Sequence, residues 1–180
     1  MDQGRVSVSY AKALLHWAIE KGAAQEVYSQ SVKLRVLLDS DPDVMLLLTN
    51  PMASLSKRVD IFSKVLKDYT PNLIEFVSLI LRKQRGKNLK NILLVFERIY
   101  REKFGVIKCI VESSSELGEG AKKSIGLYLE QKYKKSVELE FVIKPEIIGG
   151  FILTIEDKLL DKSVKGELEK FRKQLMGMAY

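Results

Sequence analysis

The sequence predicts a mainly α chain, with an N-terminal six-helix bundle over residues 1–104 followed by a small α/β domain over residues 105–180. Three observations carry this expectation. From Tyr10 to Tyr100, apolar residues recur at spacings of three and four, as on helices with one buried face. At Phe104-Gly105 the period changes to two, and Val106 to Ser113 and Val137 to Phe141 alternate as strands do. A Gly149-Gly150 doublet, another alternating run and a last amphipathic stretch close the chain.

The first helix is expected to be capped by Ser9, to carry Tyr10, Ala13, Leu14, Trp17 and Ala18 as its apolar stripe, and to end at Gly22. The second runs from about Ala23 to Leu38, with Val27, Ser31, Leu34 and Leu38 aligned. Asp41-Pro42 opens a short third helix through Leu48, since proline is tolerated in a first turn, and Asn50-Pro51 closes it. The fourth starts near Ser54 and aligns Leu55, Val59, Phe62 and Leu66. Thr70-Pro71 starts the fifth, with Leu73, Phe76, Val77, Ile80 and Leu81, and Gly86 stops it. The sixth carries Leu89, Leu93, Phe96, Ile99 and Tyr100.

In the second part, Val106 to Ser113 is a strand, a helix covers about Glu116 to Lys135, and Val137 to Phe141 is the second strand. Pro145 and the Gly149-Gly150 bend lead to a third, in which Phe151, Leu153 and Ile155 share a face. Glu156-Asp157-Lys158 is a turn, Leu159-Leu160 a short return, and Asp161 the expected N-cap of the last helix. That helix aligns Val164, Leu168, Phe171 and Leu175, the face expected to be buried, and stops at Gly177. A core of this size is marginal alone, so docking to a partner would help hold it.

Composition narrows the function. Hydrophobic residues make up 46% and charged residues 29% of 180, a globular rather than disordered balance. No apolar run approaches the roughly 20 residues that span a bilayer, and MDQGRVSVSYAK has neither the apolar core of a secretory signal nor an Arg-rich transit character. The one cysteine, Cys109, excludes an internal disulfide and a multi-cysteine metal site, and among Val106, Ile107, Ile110 and Val111 it is expected to be a buried small hydrophobe. Net charge is +7, and residues 1–104 hold 17 Lys and Arg against 11 Asp and Glu. A charge-driven partner is therefore expected to meet the first part.

Catalytic chemistry finds no support. His16 is the one histidine, and beside Trp17 it is expected to be structural or partly exposed. Without a second histidine, zinc and triad arrangements fail. There is no phosphate-cradling G-x-x-x-x-G-K-[ST]. The Gly149-Gly150 pair lacks the third glycine of a dinucleotide fingerprint and suits a close backbone approach. Glu156, Asp157 and Asp161 lack calcium-loop spacing and suit turn and cap roles.

Two surfaces remain. Arg82, Lys83, Arg85, Lys87 and Lys90 form a basic run with no acid between Glu75 and Glu97. It can be a solvated helix end, a site for an acidic partner, or a nucleic-acid patch, although interleaved aromatics are missing. The first and fifth helices also have wide apolar faces. Tyr10, Ala13, Leu14 and Trp17 exceed one stripe, as do Phe76, Val77, Ile80 and Leu81, and a surplus face can form a groove for another amphipathic helix.

The run from Gly149 to Leu168, GG-F-I-L-T-I-E-D-x-L-L-D-x-S-V-x-x-x-L, resembles the C-terminal signature of the delta subunit of F-type ATP synthases, the family of the mitochondrial oligomycin-sensitivity-conferring protein. Tyr10 to Leu14 with Trp17-Ala18 resembles that family's first helix, and Asn50-Pro51 and Lys57-Arg58 its mid-domain turn and next helix. Glu156 and Lys162 stand where the family often has glycine. The resemblance implies a non-catalytic peripheral-stalk (stator) subunit of a proton- or sodium-driven ATP synthase, with no active site, cofactor or metal of its own. It implies that the first and fifth helices bind the N-terminal helix of an alpha subunit, in a groove expected to be lined by Tyr10, Leu14, Phe76 and Ile80 and approached past the steering charges Arg82 to Lys90. It implies that the C-terminal domain holds b subunits of the stalk. The location implied is peripheral, at the cytoplasmic face of the bacterial inner membrane, with membrane association only through the complex. The alternatives are a helical protein–protein adaptor unrelated to the synthase and a basic nucleic-acid-binding protein. Phosphate binding weakens steeply with salt, whereas an apolar groove does not.

Overall fold

A computed structural model describes residues 3–49, 55–65, 67, 69–156 and 158–177. The chain is mostly helical with one small four-stranded mixed sheet, and divides into two compact units, Met1–Glu102 and Lys103–Tyr180. The expectations for Asn50-Pro51, Ser54, Leu66 and Asp157 fall outside the described residues.

In the first unit the α-helices among the described residues are α1 (Gln3–Glu20), α2 (Ala24–Ser40), α3 (Pro42–Thr49), α4 (Leu55–Val65), α5 (Pro71–Arg82) and α6 (Leu89–Phe104). The face that α1 buries is Ser7, Ala11, Leu14 and Ala18, which keeps Leu14 and Ala18 of the expected stripe but not Tyr10, Ala13 and Trp17. Small side chains let neighbouring backbone come close on that face, while the bulky Tyr10 and Trp17 project elsewhere. Helix α1 also starts earlier than expected, so Ser9 lies inside it and donates its Oγ–H to the Arg5 carbonyl at 3.0 Å instead of capping. Gly22, with φ of 66°, ends the helix, and the Ala23 N–H reaches back to the Ala18 carbonyl at 2.9 Å, the pattern of a left-handed C-terminal cap.

Helix α5 opens with Pro71 after an extended Thr70. Its stop differs from expectation. Gln84, at φ of 55°, takes the left-handed position and lets the Arg85 N–H reach the Ile80 carbonyl at 2.9 Å, whereas Gly86 is buried and begins a 3-10 turn, Gly86–Asn88. The core gathers Val27, Leu34, Leu73, Val77, Ile80, Leu81, Leu89, Ile92, Leu93 and Phe96. Tyr28 and Tyr100 stack with ring centres 4.0 Å apart.

One charge inside this unit is held by geometry. Glu97 is buried, and its carboxylate accepts from Arg35 Nε at 2.8 Å, with the Arg101 guanidinium at 4.0 Å. That hydrogen bond to Glu97 leads the influences that raise the Arg35 pKa above its ordinary value. A buried carboxylate stripped of its partner is costly, so Arg35→Met, which takes the hydrogen-bond donor from the buried Glu97, is expected to cost about 3–5 kcal/mol. Urea unfolding of the full chain measures this. A loss below about 1 kcal/mol would show that the pair contributes little.

The second unit contains β1 (Val106–Ser113), α7 (Glu119–Tyr133), β2 (Ser136–Ile143), a 3-10 turn (Pro145–Ile147), β3 (Gly150–Ile155), β4 (Lys158–Ser163) and α8 (Val164–Leu175). The sheet order is β2-β1-β3-β4. β1 and β2 run parallel with Cys109 opposite Leu139, while β1–β3 and β3–β4 are antiparallel, with Val111 opposite Leu153 and Leu153 opposite Leu160. The parallel pair needs the α7 crossover. Ile107, Cys109, Val111 and Leu153 pack against Leu129 of α7. Burial raises the Cys109 thiol pKa above its ordinary value.

Three expectations are corrected here. First, Lys158 to Ser163 is a full strand rather than a short return, because β3 has an unpaired edge that the returning chain fills residue for residue. Second, the N-cap of α8 is Ser163, whose Oγ accepts from Gly166 N at 3.0 Å. Asp161 lies inside β4 and accepts from Ser163 N at 2.8 Å, and hydrogen bonding with Ser163 lowers its pKa. Third, α8 buries nothing. Val164, Leu168, Phe171 and Leu175 are all exposed, Phe171 at 62% and Leu175 at 87%. The last helix packs instead beside β4 and the 3-10 turn that precedes β3, away from the Leu129 core of the sheet.

The Gly149-Gly150 pair marks a close backbone approach, as expected. Gly150 has φ of 75°, a Cβ there would collide with the Lys162 carbonyl oxygen, and the Gly149 carbonyl accepts from Val164 N at 3.0 Å. Gly150→Ala adds both strain and collision, so a loss above about 2 kcal/mol is expected. Thermal unfolding of the variant within about 1 °C of wild type would contradict that reading.

Candidate partner-binding groove

A second face of α1, which shares Leu14 with the core face, lies beside α5. Tyr10, Ala13, Leu14 and Trp17 follow the i, i+3, i+4, i+7 pattern of one helix side, and α5 answers with Glu75, Phe76, Ser78, Leu79 and Arg82. Between them lies a groove of about 510 Å3. Leu14 and Phe76 are buried and form its floor. Tyr10 and Trp17 are half-buried on one side, and Leu79 is 44% exposed on the other.

Of the four expected lining residues, the structure brings together Tyr10, Leu14 and Phe76. Ile80 is 0% exposed and sits in the core, so Leu79 takes the wall position instead. Helix α5 is apolar over more than half a turn, and its centre at Val77, Ile80 and Leu81 is turned inward, which leaves Phe76 at the groove floor and Leu79 at the rim. The signal for Leu79 was present as the i+3 neighbour of Phe76. Ala13, Trp17, Glu75 and Ser78 are further lining residues, of which Ala13 and Trp17 belong to the wide face visible in the sequence.

The basic run is divided. Arg82 is in the groove wall, Lys83 and Lys87 are exposed beyond it, and Arg85 is half-buried. Lys90 is tied to Asp39, whose other oxygen faces Arg35 at 3.3 Å, and the Lys90 hydrogen bond leads the causes that lower the Asp39 pKa. Lys90 is thus neutralised within the unit and is a poor steering charge.

The second unit carries a separate apolar trough of about 490 Å3 beside α7, where Ile125, Tyr128 and Leu129 face Phe151, Leu153 and Leu160, with Lys132 and Lys158 at its border. Sequence reasoning missed it, because the trough depends on how far α7 reaches across the sheet. His16 is exposed and lies 3.2 Å from Glu20 on the same helix. No cluster of His, Cys, Asp and Glu able to hold a metal occurs among the described residues, and no helix among them is long and apolar enough to cross a membrane.

Comparison with known proteins decides the family. The ATP synthase delta (OSCP) subunit family model matches residues 6–175. The chain belongs to that family. It is 28% identical over 172 residues to ATP synthase subunit delta of Carboxydothermus hydrogenoformans, covering 96% of this chain and 97% of that one. It is 30% identical over 174 residues to the Fusobacterium nucleatum subunit, covering 96% and 99%. A chain in the Toxoplasma gondii mitochondrial ATP synthase hexamer shares the fold, with a TM-score of 0.72 and 19% identity over 98% of both chains. The delta-family chain is a structural, non-catalytic subunit of the ATP synthase and part of its peripheral stalk. The readings as an unrelated adaptor or a nucleic-acid-binding protein are not favoured.

Proposed function

We propose that this delta-family subunit ties the two ends of the stator together. The first unit, acting as one six-helix bundle, accepts the N-terminal helix of the alpha subunit in the α1–α5 groove, and the second unit holds the b subunits of the stalk. In that role it keeps the catalytic head of a proton- or sodium-driven synthase from turning with the rotor. It works from the cytoplasmic face of a bacterial cell membrane, attached through the complex alone. The observation that carries the reading is the groove itself, an apolar channel with a buried floor and half-exposed aromatic walls on a unit whose core is complete without it. Such channels take amphipathic helices.

The aromatic walls give the test. Tyr10 and Trp17 are half-buried, so removing either spares the core, and Tyr10→Ala or Trp17→Ala is expected to weaken alpha-peptide binding by about 2 kcal/mol or more. Phe76→Ala is expected to weaken binding and stability together, because Phe76 is also floor. Calorimetric titration of the full chain with the alpha N-terminal peptide measures this, with circular dichroism confirming the fold. Unchanged affinity in both wall variants would move the binding face elsewhere. Lys87→Glu is expected to slow association in low salt and to lose its effect in high salt.

What supports the stalk-facing role of the second unit is the uncovered stripe of α8. Phe171→Ala is therefore expected to change stability by no more than about 0.5 kcal/mol while weakening capture of the soluble part of the b subunit. Loss of stability with undiminished capture would return Phe171 to an internal role. The two units are proposed to fold separately, so a fragment of residues 1–104 is expected to melt cooperatively with full helical signal. A non-cooperative melt would place the division elsewhere.

A further inference from the structure

The charges of the α1–α5 groove are arranged along its length. All four α1 residues in the wall, Tyr10, Ala13, Leu14 and Trp17, are uncharged. The wall's two charges both come from α5, Glu75 toward its start and Arg82 at its last residue. They stand seven positions apart, two helical turns or about 10 Å along the axis. Both are exposed, and neither makes an ion pair among the described residues. Beyond Arg82 the exposed Lys83 and Lys87 extend the positive end.

We infer that the groove accepts its helix in one direction, antiparallel to α5, with an acidic N-terminal turn against Arg82 and a basic C-terminal turn against Glu75. This rests on the groove being a helix-docking site. Helices ordinarily carry acids in the first turn and bases in the last, because the backbone dipole favours both. Laid antiparallel to α5, a helix of that pattern meets opposite charge at each end, and its dipole opposes that of α5 favourably. Laid parallel, it sets acid against Glu75 and base against Arg82. The apolar floor holds the helix in either case. Glu75 and Arg82 therefore set direction, which determines where the chain leaves the groove toward the rest of its subunit.

The experiment uses two designed 18-residue amphipathic peptides with the same leucine face. One has Glu in its first turn and Lys in its last, and the other has these exchanged. Each is titrated calorimetrically into the full chain, wild type and the Glu75→Lys/Arg82→Glu double variant. The first peptide is expected to bind wild type about five- to tenfold more tightly, from two exposed charge pairs, and the double variant to invert the preference. High salt narrows both differences. Inversion in the protein separates the groove's charges from the peptides' own helicity, which the variant leaves unchanged. A preference identical in wild type and double variant overturns the inference. Should Tyr10→Ala still weaken both peptides, the groove stands and only its polarity falls. Should Tyr10→Ala and Trp17→Ala leave both peptides unaffected, the docking site falls, and the polarity with it.

Discussion

Helix α1 has to serve two neighbours, and the arrangement of the first unit depends on how it divides between them. One side is Ser7, Ala11, Leu14 and Ala18, small enough at three of four positions for close packing into the core. The other is Tyr10, Ala13, Leu14 and Trp17, bulky at its two ends and facing α5 across open space. Leu14 belongs to both. Burying Tyr10 and Trp17 instead would force α1 away from the core and leave voids that close-packed interiors do not tolerate. The groove is thus the consequence of placing small residues inward and aromatic ones outward on a single helix.

The rest of the first unit makes that division rigid. The Arg35–Glu97 pair and the Tyr28–Tyr100 stack join α2 to α6, and α5 contributes five buried apolar residues to the same core. A stator subunit transmits load through bound interfaces and needs no reactive side chain. For the proposed docking role, a floor made of core residues such as Leu14 and Phe76 suits load better than a flexible surface patch, because deforming it means deforming the core.

The second unit is built differently. Its sheet has one helix, α7, over its core face, leaving apolar side chains of β3 and β4 and the whole apolar stripe of α8 uncovered. Exposed apolar area of that extent on a small domain marks contact surface. The close approach at Gly150 joins β3 to the end of β4, so the base of α8 is fixed to the sheet while its far end stays free.

Much of this was legible in the residues. Helical spacing in α2, α5 and α6, the period-two runs of β1 and β3, the stop at Gly22, the bend at Gly149-Gly150, and the family signature from Gly149 to Leu168 are local properties, set by backbone sterics and side-chain spacing within one element. Tertiary structure decided the matters that depend on a neighbour. Ile80 and Leu79 are both apolar residues of one helix, and only the position of the core sends the first inward and the second to the wall. Asp161 and Ser163 are both good caps, and the pairing of β4 with β3 assigns the role to Ser163 by drawing Asp161 into the strand. The stripe of α8 has the spacing of a buried face, yet it is bare because α8 packs beside β4 and the 3-10 turn rather than across the sheet's core face. Periodicity states that a face is apolar. What covers that face depends on packing between elements far apart in the chain, or on another chain.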